Sequence, residues 1–180
     1  MKARLIIAGT FLAVAALSLT TLLAAEGARP GSAMRIGVYD SRSVALAYGR
    51  SEEHMRAVGA MHQEYEKAKA DKNEARIKEL EQEGPWEHIR LMQQVFSTAG
   101  VTNIMAKVKD SMPAIAREAG VSLICSKWEM PYKDAAVETV DLTLPIAKLF
   151  KPDEQTLKII DQMKGQEPVP FDKLPLDPKM

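Results

Sequence analysis

Chemistry in this chain would fall to its three histidines, its one cysteine or paired carboxylates, and none of these is spaced for it. His54 and His62 share a charged run with no ligand between them at a spacing of four, so they do not build the two-ligand helix face of a zinc site; His88 stands apart. There is no glycine-rich phosphate loop and no Ser or Cys in a nucleophile motif. The many Glu residues have Lys partners at i,i+4 and read as a solvated face, not as paired catalytic acids. Cys125 alternates with Val121 and Leu123 on one face of an apolar run, which makes it a packing residue, and a lone cysteine excludes an intrachain disulfide. The expectation is a protein without catalytic residues, metal or cofactor, and not an enzyme.

If reaction chemistry is absent, the elements must serve binding. In MRIGVYD, Ile36 and Val38 alternate with Gly37 and Tyr39, and the Asp40-Ser41 pair closes the run; this is a short strand followed by a helix cap. SVALAY then suits one or two turns of helix. Residues 51–83 are rich in Glu, Lys, Ala and Arg, with acids in the first turn where the helix dipole favours them. At ~1.5 Å per residue such a helix would reach roughly 50 Å.

Gly84-Pro85 is a strong stop signal, and the return segment, residues 86–119, matches the outgoing arm in length. A helical hairpin over residues 50–119 with its tip near 84–86 is expected. Gly100, among poor helix formers, and Pro113 should kink or break the return arm at one or both places. VSLICSKWE then changes to period 2 after Gly120 and reads as a second strand. VETVDLTLPIAKLF is a third short strand running into a helix capped near Asp141 or Thr143. A further short helix is expected in 151–164, and a Pro-rich tail without period in 165–180.

The opening segment, residues 1–28, places Lys2 and Arg4 before an uncharged stretch from 5 to 25. It is an export signal, longer in its apolar part than the usual ~7–15 residues and close to the ~20 that span a bilayer. Cleavage after Ala25 would leave Leu23, and after Ala28 Glu26, where a small residue is preferred, so a cleaved signal and an uncleaved anchor both remain. Formal charge is balanced at 24 basic and 24 acidic residues, which gives no footprint for nucleic acid and no basic surface for anionic lipid. Membrane contact is expected only if the opening segment is uncut. Three short strands bury little apolar surface and leave two sheet edges open, which points to oligomerisation.

The order of these features carries a resemblance. A signal segment, a strand IGVYD, a charged helical hairpin, VSLICSKWEMPY as a strand and tyrosine-containing turn, and VETVDLT before the last helix resemble the Skp/OmpH family of periplasmic chaperones over residues 35–150. The resemblance implies an α+β fold: a body of about three short strands (34–49 and 120–150) that trimerises, with hairpins projecting as tentacles that hold unfolded outer-membrane proteins. The chain departs from the family in its shorter insertion, its balanced charge, its Gly100 and Pro113 breaks, and its extension beyond Phe150.

A holding chaperone needs a surface that binds exposed apolar chain weakly and repeatedly. On the return arm Ile89, Met92 and Phe96 follow one track and Leu91 and Val95 another, opposite an outgoing arm too charged to cover both. The candidate client-binding residues are Tyr65, Trp86, Ile89, Met92, Val95 and Phe96. Met61, Met105 and Met112 read as hairpin core, whereas Met92 and Phe96 fit either role, and Trp86 either faces a client or folds back onto Leu80 or Ile89. The second reading is a membrane-anchored adaptor whose hairpin binds one specific helical partner.

Overall fold

The structure, a computed structural model, describes residues 34–174. The export signal or anchor expected in 1–28 and the end of the tail lie outside the described residues.

Extended residues of alternating burial form β1 (Arg35–Tyr39), and Asp40 ends it by turning its carboxylate onto the backbone N–H of Arg42, which caps α1 (Ser41–Gly49). Ser41, Ser43, Ala45 and Ala47 are small and buried, so α1 lies close against its neighbours. Ser51 caps α2 (Glu52–Ala70) by accepting from His54 N–H, with Glu52 and Glu53 at the positive end of the helix dipole and Lys67 and Lys69 at the negative end.

The turn that follows corrects the sequence expectation. It falls at residues 71–73, where Lys72 takes a left-handed φ of 53° and Asn73 caps α3 (Glu74–Phe96) through Arg76 N–H. Gly84-Pro85 is therefore not the tip; both residues lie inside α3, and Trp86 is a mid-helix residue. Pro85 leaves the carbonyl of Glu81 without its helical donor, at a cost near ~3 kcal/mol. Packing offsets that cost: Gly84, without a Cβ, lets Met61 of α2 approach, and Pro85 and Leu80 face the same arm. The two arms run side by side in opposite directions, joined by Arg76 Nε to Glu64 at 2.8 Å and Tyr65 Oη to Glu81 at 3.0 Å. Each arm is shorter than the rod expected over residues 51–83.

Both expected breaks in the return chain occur. Helix α3 stops at Ser97, residues 97–101 carry Gly100, and α4 (Thr102–Val108) restarts the chain. A tight 3-10 turn at Lys109–Ser111 leads to α5 (Met112–Ala119), where Pro113 sits in the first turn and needs no N–H partner. Gly120, at φ 63°, closes α5 in the left-handed conformation and releases the chain into β2 (Leu123–Ser126).

Residues 127–137 then return the chain to β3 (Glu138–Asp141), followed by α6 (Thr143–Ala147), a 3-10 turn at Lys148–Phe150, and α7 (Glu154–Met163) capped by Asp153. Residues 164–174 are irregular apart from one 3-10 turn at Phe171–Lys173.

The sheet order is β2-β1-β3, and both pairings are parallel. The fold is thus mixed α/β and mostly helical, with three short strands. The segregated α+β arrangement is not found, because the long helical insert between β1 and β2 supplies the crossover that parallel pairing needs. Register sets Gly37, Tyr39, Ile124, Ser126 and Val140 on the face that meets the helices. Ile36, Val38, Leu123 and Cys125 share the other face, so Leu123 is 51% exposed and Cys125 half-buried. The expected packing of Leu123 and Cys125 with Val121 is corrected: Val121 joins the core before the strand begins, and the face parity is set by β1.

The core joins Val44 of α1, Ile104 of α4, Ile146 of α6 and Ile160 of α7, all fully buried, each worth roughly 1.5–3 kcal/mol.

Candidate functional site

The six expected contact residues all lie on the helical pair, Tyr65 on α2 and the others on α3, but helix geometry divides them. Val95 turns toward the body and packs against its core, and Ile89 is buried, so neither offers a free surface. Met92 is half-buried. Trp86, 54% exposed, and Phe96, 45% exposed, remain open to solvent. Tyr65 is half-buried; its hydroxyl donates to Glu81, which pushes the phenol above its usual pKa, and Lys69 Nζ stands 5.2 Å from the ring centre.

Between the arms lies a shallow apolar groove of about 370 Å³, lined by Val58, Met61, His62, Tyr65, Leu80 and Pro85. Met55 and Val58, both largely exposed, continue the apolar surface along α2. The groove exists because the arms meet through small or flexible residues, with Met61 Sδ 3.4 Å from where a Cβ on Gly84 would stand; Tyr65 and Glu81, hydrogen-bonded to each other, line it, and the Arg76–Glu64 ion pair joins the arms nearer the turn. Trp86 follows Pro85 directly and so stands beside this groove in the chain. Met61 belongs to it, not to a closed hairpin core.

Phe96 has a neighbour that the sequence does not announce. The backbone N–H of Val169 donates to Phe96 O at 2.8 Å, so the Pro-rich tail returns to the end of α3. Arg42 holds the same segment by donating to Gln166 O at 2.7 Å. Val169 and Phe171 stay exposed there. Alternating Pro168 and Pro170 make an extended chain with few donors, and nothing in that composition names the partner of the Val169 N–H between them.

The histidines are not equivalent. His62 and His88 are exposed, but His54 is half-buried with its ring 5.1 Å from that of Tyr48, and burial pushes its pKa below the usual value, with Lys107 and His88 adding to the effect against Glu87. Three titratable side chains do not converge on a metal-binding arrangement among the described residues. No helix among them is long and apolar enough to cross a membrane.

The strongest polar cluster sits where β1 ends. Asp40, 5% exposed, accepts from Arg42 Nε at 3.1 Å and Arg42 NH2 at 2.9 Å, from Lys127 Nζ at 2.8 Å and from Trp128 Nε1 at 3.0 Å. Its own N–H donates to Thr143 Oγ1 at 2.9 Å. Burial by itself would raise this carboxyl, but the bonds from Arg42, Lys127 and Trp128 outweigh it and hold the pKa at about 2. Arg42 and Lys127 also lie over the Trp128 ring, at 4.8 and 4.3 Å. Every oxygen of Asp40 is engaged, so the cluster ties strand ends together and has no free lone pair for a reaction. Tyr132, in the turn that follows, is 77% exposed.

Comparison of the chain with models of known families, with curated proteins and with solved structures finds no match.

Proposed function

We propose that this protein is a holdase-type chaperone of the Skp/OmpH kind that binds unfolded outer-membrane or envelope proteins in the periplasm without catalysis. The observation that carries the reading is the exposure of Met55, Val58, Trp86 and Phe96 on a helical pair that is otherwise rich in charged side chains. Large apolar side chains left open along a solvated element mark an interaction surface. Methionine and tryptophan suit a surface with many partners, since a flexible thioether and a broad ring accept varied shapes.

In this reading the α2–α3 pair is a short tentacle, the strands form a body that assembles as a homotrimer, and clients meet the inner faces of the arms. Balanced charge makes apolar contact, not long-range attraction, the source of client affinity.

The test is aggregation of an unfolded β-barrel protein diluted from denaturant with and without the exported chain, together with native mass. Suppression at stoichiometric amounts by a trimer is expected. A monomer that leaves aggregation unchanged would remove the reading. A chain recovered with Met1 in the membrane fraction and bound to one folded partner would instead favour the anchored adaptor.

A further inference from the structure

A cavity of about 460 Å³ opens between the sheet and helices α4 and α5, within the roughly 300–1,000 Å³ of small-molecule sites. Most of its wall is apolar: Met105 of α4, Met112 and Ala116 of α5, and Ile124 of β2. Register turns Tyr39 and Ile124 to the helical side of the sheet, so both face this space.

The polar groups gather at one end. Ser126 is the register partner of Tyr39, and its carbonyl accepts from Glu129 N–H, which brings Glu129 beside the Tyr39 end of β1. The carboxylate lies against the break between α3 and α4, with Oε1 3.7 Å from where a Cβ on Gly100 would stand, near Thr102 at the start of α4. Glu129 is the only charged residue in the lining, and Lys127, the nearest cation in sequence, is committed to Asp40. Tyr39 is 7% exposed, yet its hydroxyl has no hydrogen-bond partner among the described residues. Burial, reinforced by the Glu129 carboxylate and by Cys125, pushes the phenol up to about 12, so it stays protonated and adds no second negative charge.

These groups narrow the occupant. An anion would meet Glu129 with no cation in the lining to offset it. A purely apolar molecule would take water from the Tyr39 hydroxyl and the carboxylate and give no bond in return. A polypeptide brings an N–H and a carbonyl with nearly every residue, and the side chains of the lining offer only three hydroxyls, of Tyr39, Thr102 and Ser122, and one carboxylate.

We propose that the cavity is a binding site for a small amphiphilic amine, a primary ammonium on an apolar stem. The ammonium donates to Glu129 and to the hydroxyl oxygens of Tyr39 and Thr102, three acceptors for its three N–H groups. The stem lies along Met105, Met112 and Ile124, where flexible thioethers adapt to its shape. The assignment is independent of the holdase reading.

The experiment titrates octylammonium, octanol and octanoate, equal in chain length and different in head charge, into the exported chain at neutral pH by calorimetry. Octylammonium should bind roughly tenfold or more tightly than octanol, and octanoate should not bind. Glu129→Gln, at an exposed residue, should keep the fold and weaken octylammonium to the level of octanol. Tyr39→Phe should weaken it by about threefold or more, with circular dichroism reporting the fold; if that variant does not fold, Glu129→Gln decides alone.

Equal affinity for octylammonium and octanol, or no effect of Glu129→Gln, overturns the site, because apolar contact alone then holds the ligand. So does an apolar peptide carrying one lysine that binds more tightly than octylammonium and loses this advantage with Glu129→Gln, because the ammonium then belongs to a polypeptide.

Discussion

Trp128 Nε1 donates to Asp40 Oδ1 at 3.0 Å across 88 residues of sequence, and so joins the residue that ends β1 to the loop that leaves β2. Trp128→Phe keeps an aromatic ring near Arg42 and Lys127 and removes only this N–H. Hydrogen bonds to a charged acceptor contribute about 1.5–3 kcal/mol, and since Arg42 and Lys127 still serve Asp40, a loss near the lower figure is expected. Urea unfolding with an unchanged slope checks it; no loss would make the bond incidental.

Acid should weaken the fold through Asp40. Its folded pKa, about 2, lies below the ordinary 3.8, so the unfolded chain takes up the proton first. The contribution is full above about pH 4 and disappears as pH falls toward 2, amounting to roughly 2 kcal/mol. Asp40→Asn should flatten this part of the stability profile. It should also cost ~3 kcal/mol at neutral pH, because Arg42 is then buried without its counter-ion.

Gly37 is required by Leu142. A Cβ at Gly37 would stand 2.4 Å from Leu142 Cδ1 and 3.2 Å from Val121 Cγ2, and Leu142 is 2% exposed with little room to yield. Gly37→Ala should destabilise by about 1–3 kcal/mol. In a Leu142→Ala background the same change should cost much less, a coupling that a double-mutant cycle of thermal unfolding would reveal.

Lys72 distinguishes two positions for the hairpin turn. Its φ of 53° is a left-handed conformation that costs a non-glycine residue ~1–2 kcal/mol. Lys72→Gly relieves this and adds freedom to the unfolded chain, for a net gain of roughly 0.5–1 kcal/mol and a higher melting temperature. Were residue 72 inside a continuous helix, the same change would lower stability by about 1 kcal/mol.

Trp86→Ala separates binding from packing. With 54% of the residue exposed, global stability should change by no more than ~0.5 kcal/mol, while suppression of client aggregation weakens. Unchanged suppression would assign Trp86 to the helix surface alone.

Period and punctuation determined much of this protein. Alternation in IGVYD, LICS and ETVD marked three strands, Asp40 declared a helix start, the acids after residue 51 another, Gly120 a helix stop, and Gly100 and Pro113 the broken return arm. These signals are local, since each rests on the preferences of a few adjacent residues.

The position of the hairpin turn was decided by tertiary structure. Gly84-Pro85 is the stronger local stop, yet the pairings of Arg76 with Glu64, of Tyr65 with Glu81 and of Gly84 with Met61 place the turn at 71–73 and hold proline inside a helix. The same holds for the candidate surface. Val95 and Ile89 are as apolar as Trp86 and Phe96, and only the neighbours of α3 separate those that are covered from those that are open. Strand parity and the tail at Phe96 likewise depend on partners far away in sequence. Local preference is a matter of a kilocalorie or so per residue, and long-range packing, summed over a helix face, exceeds it.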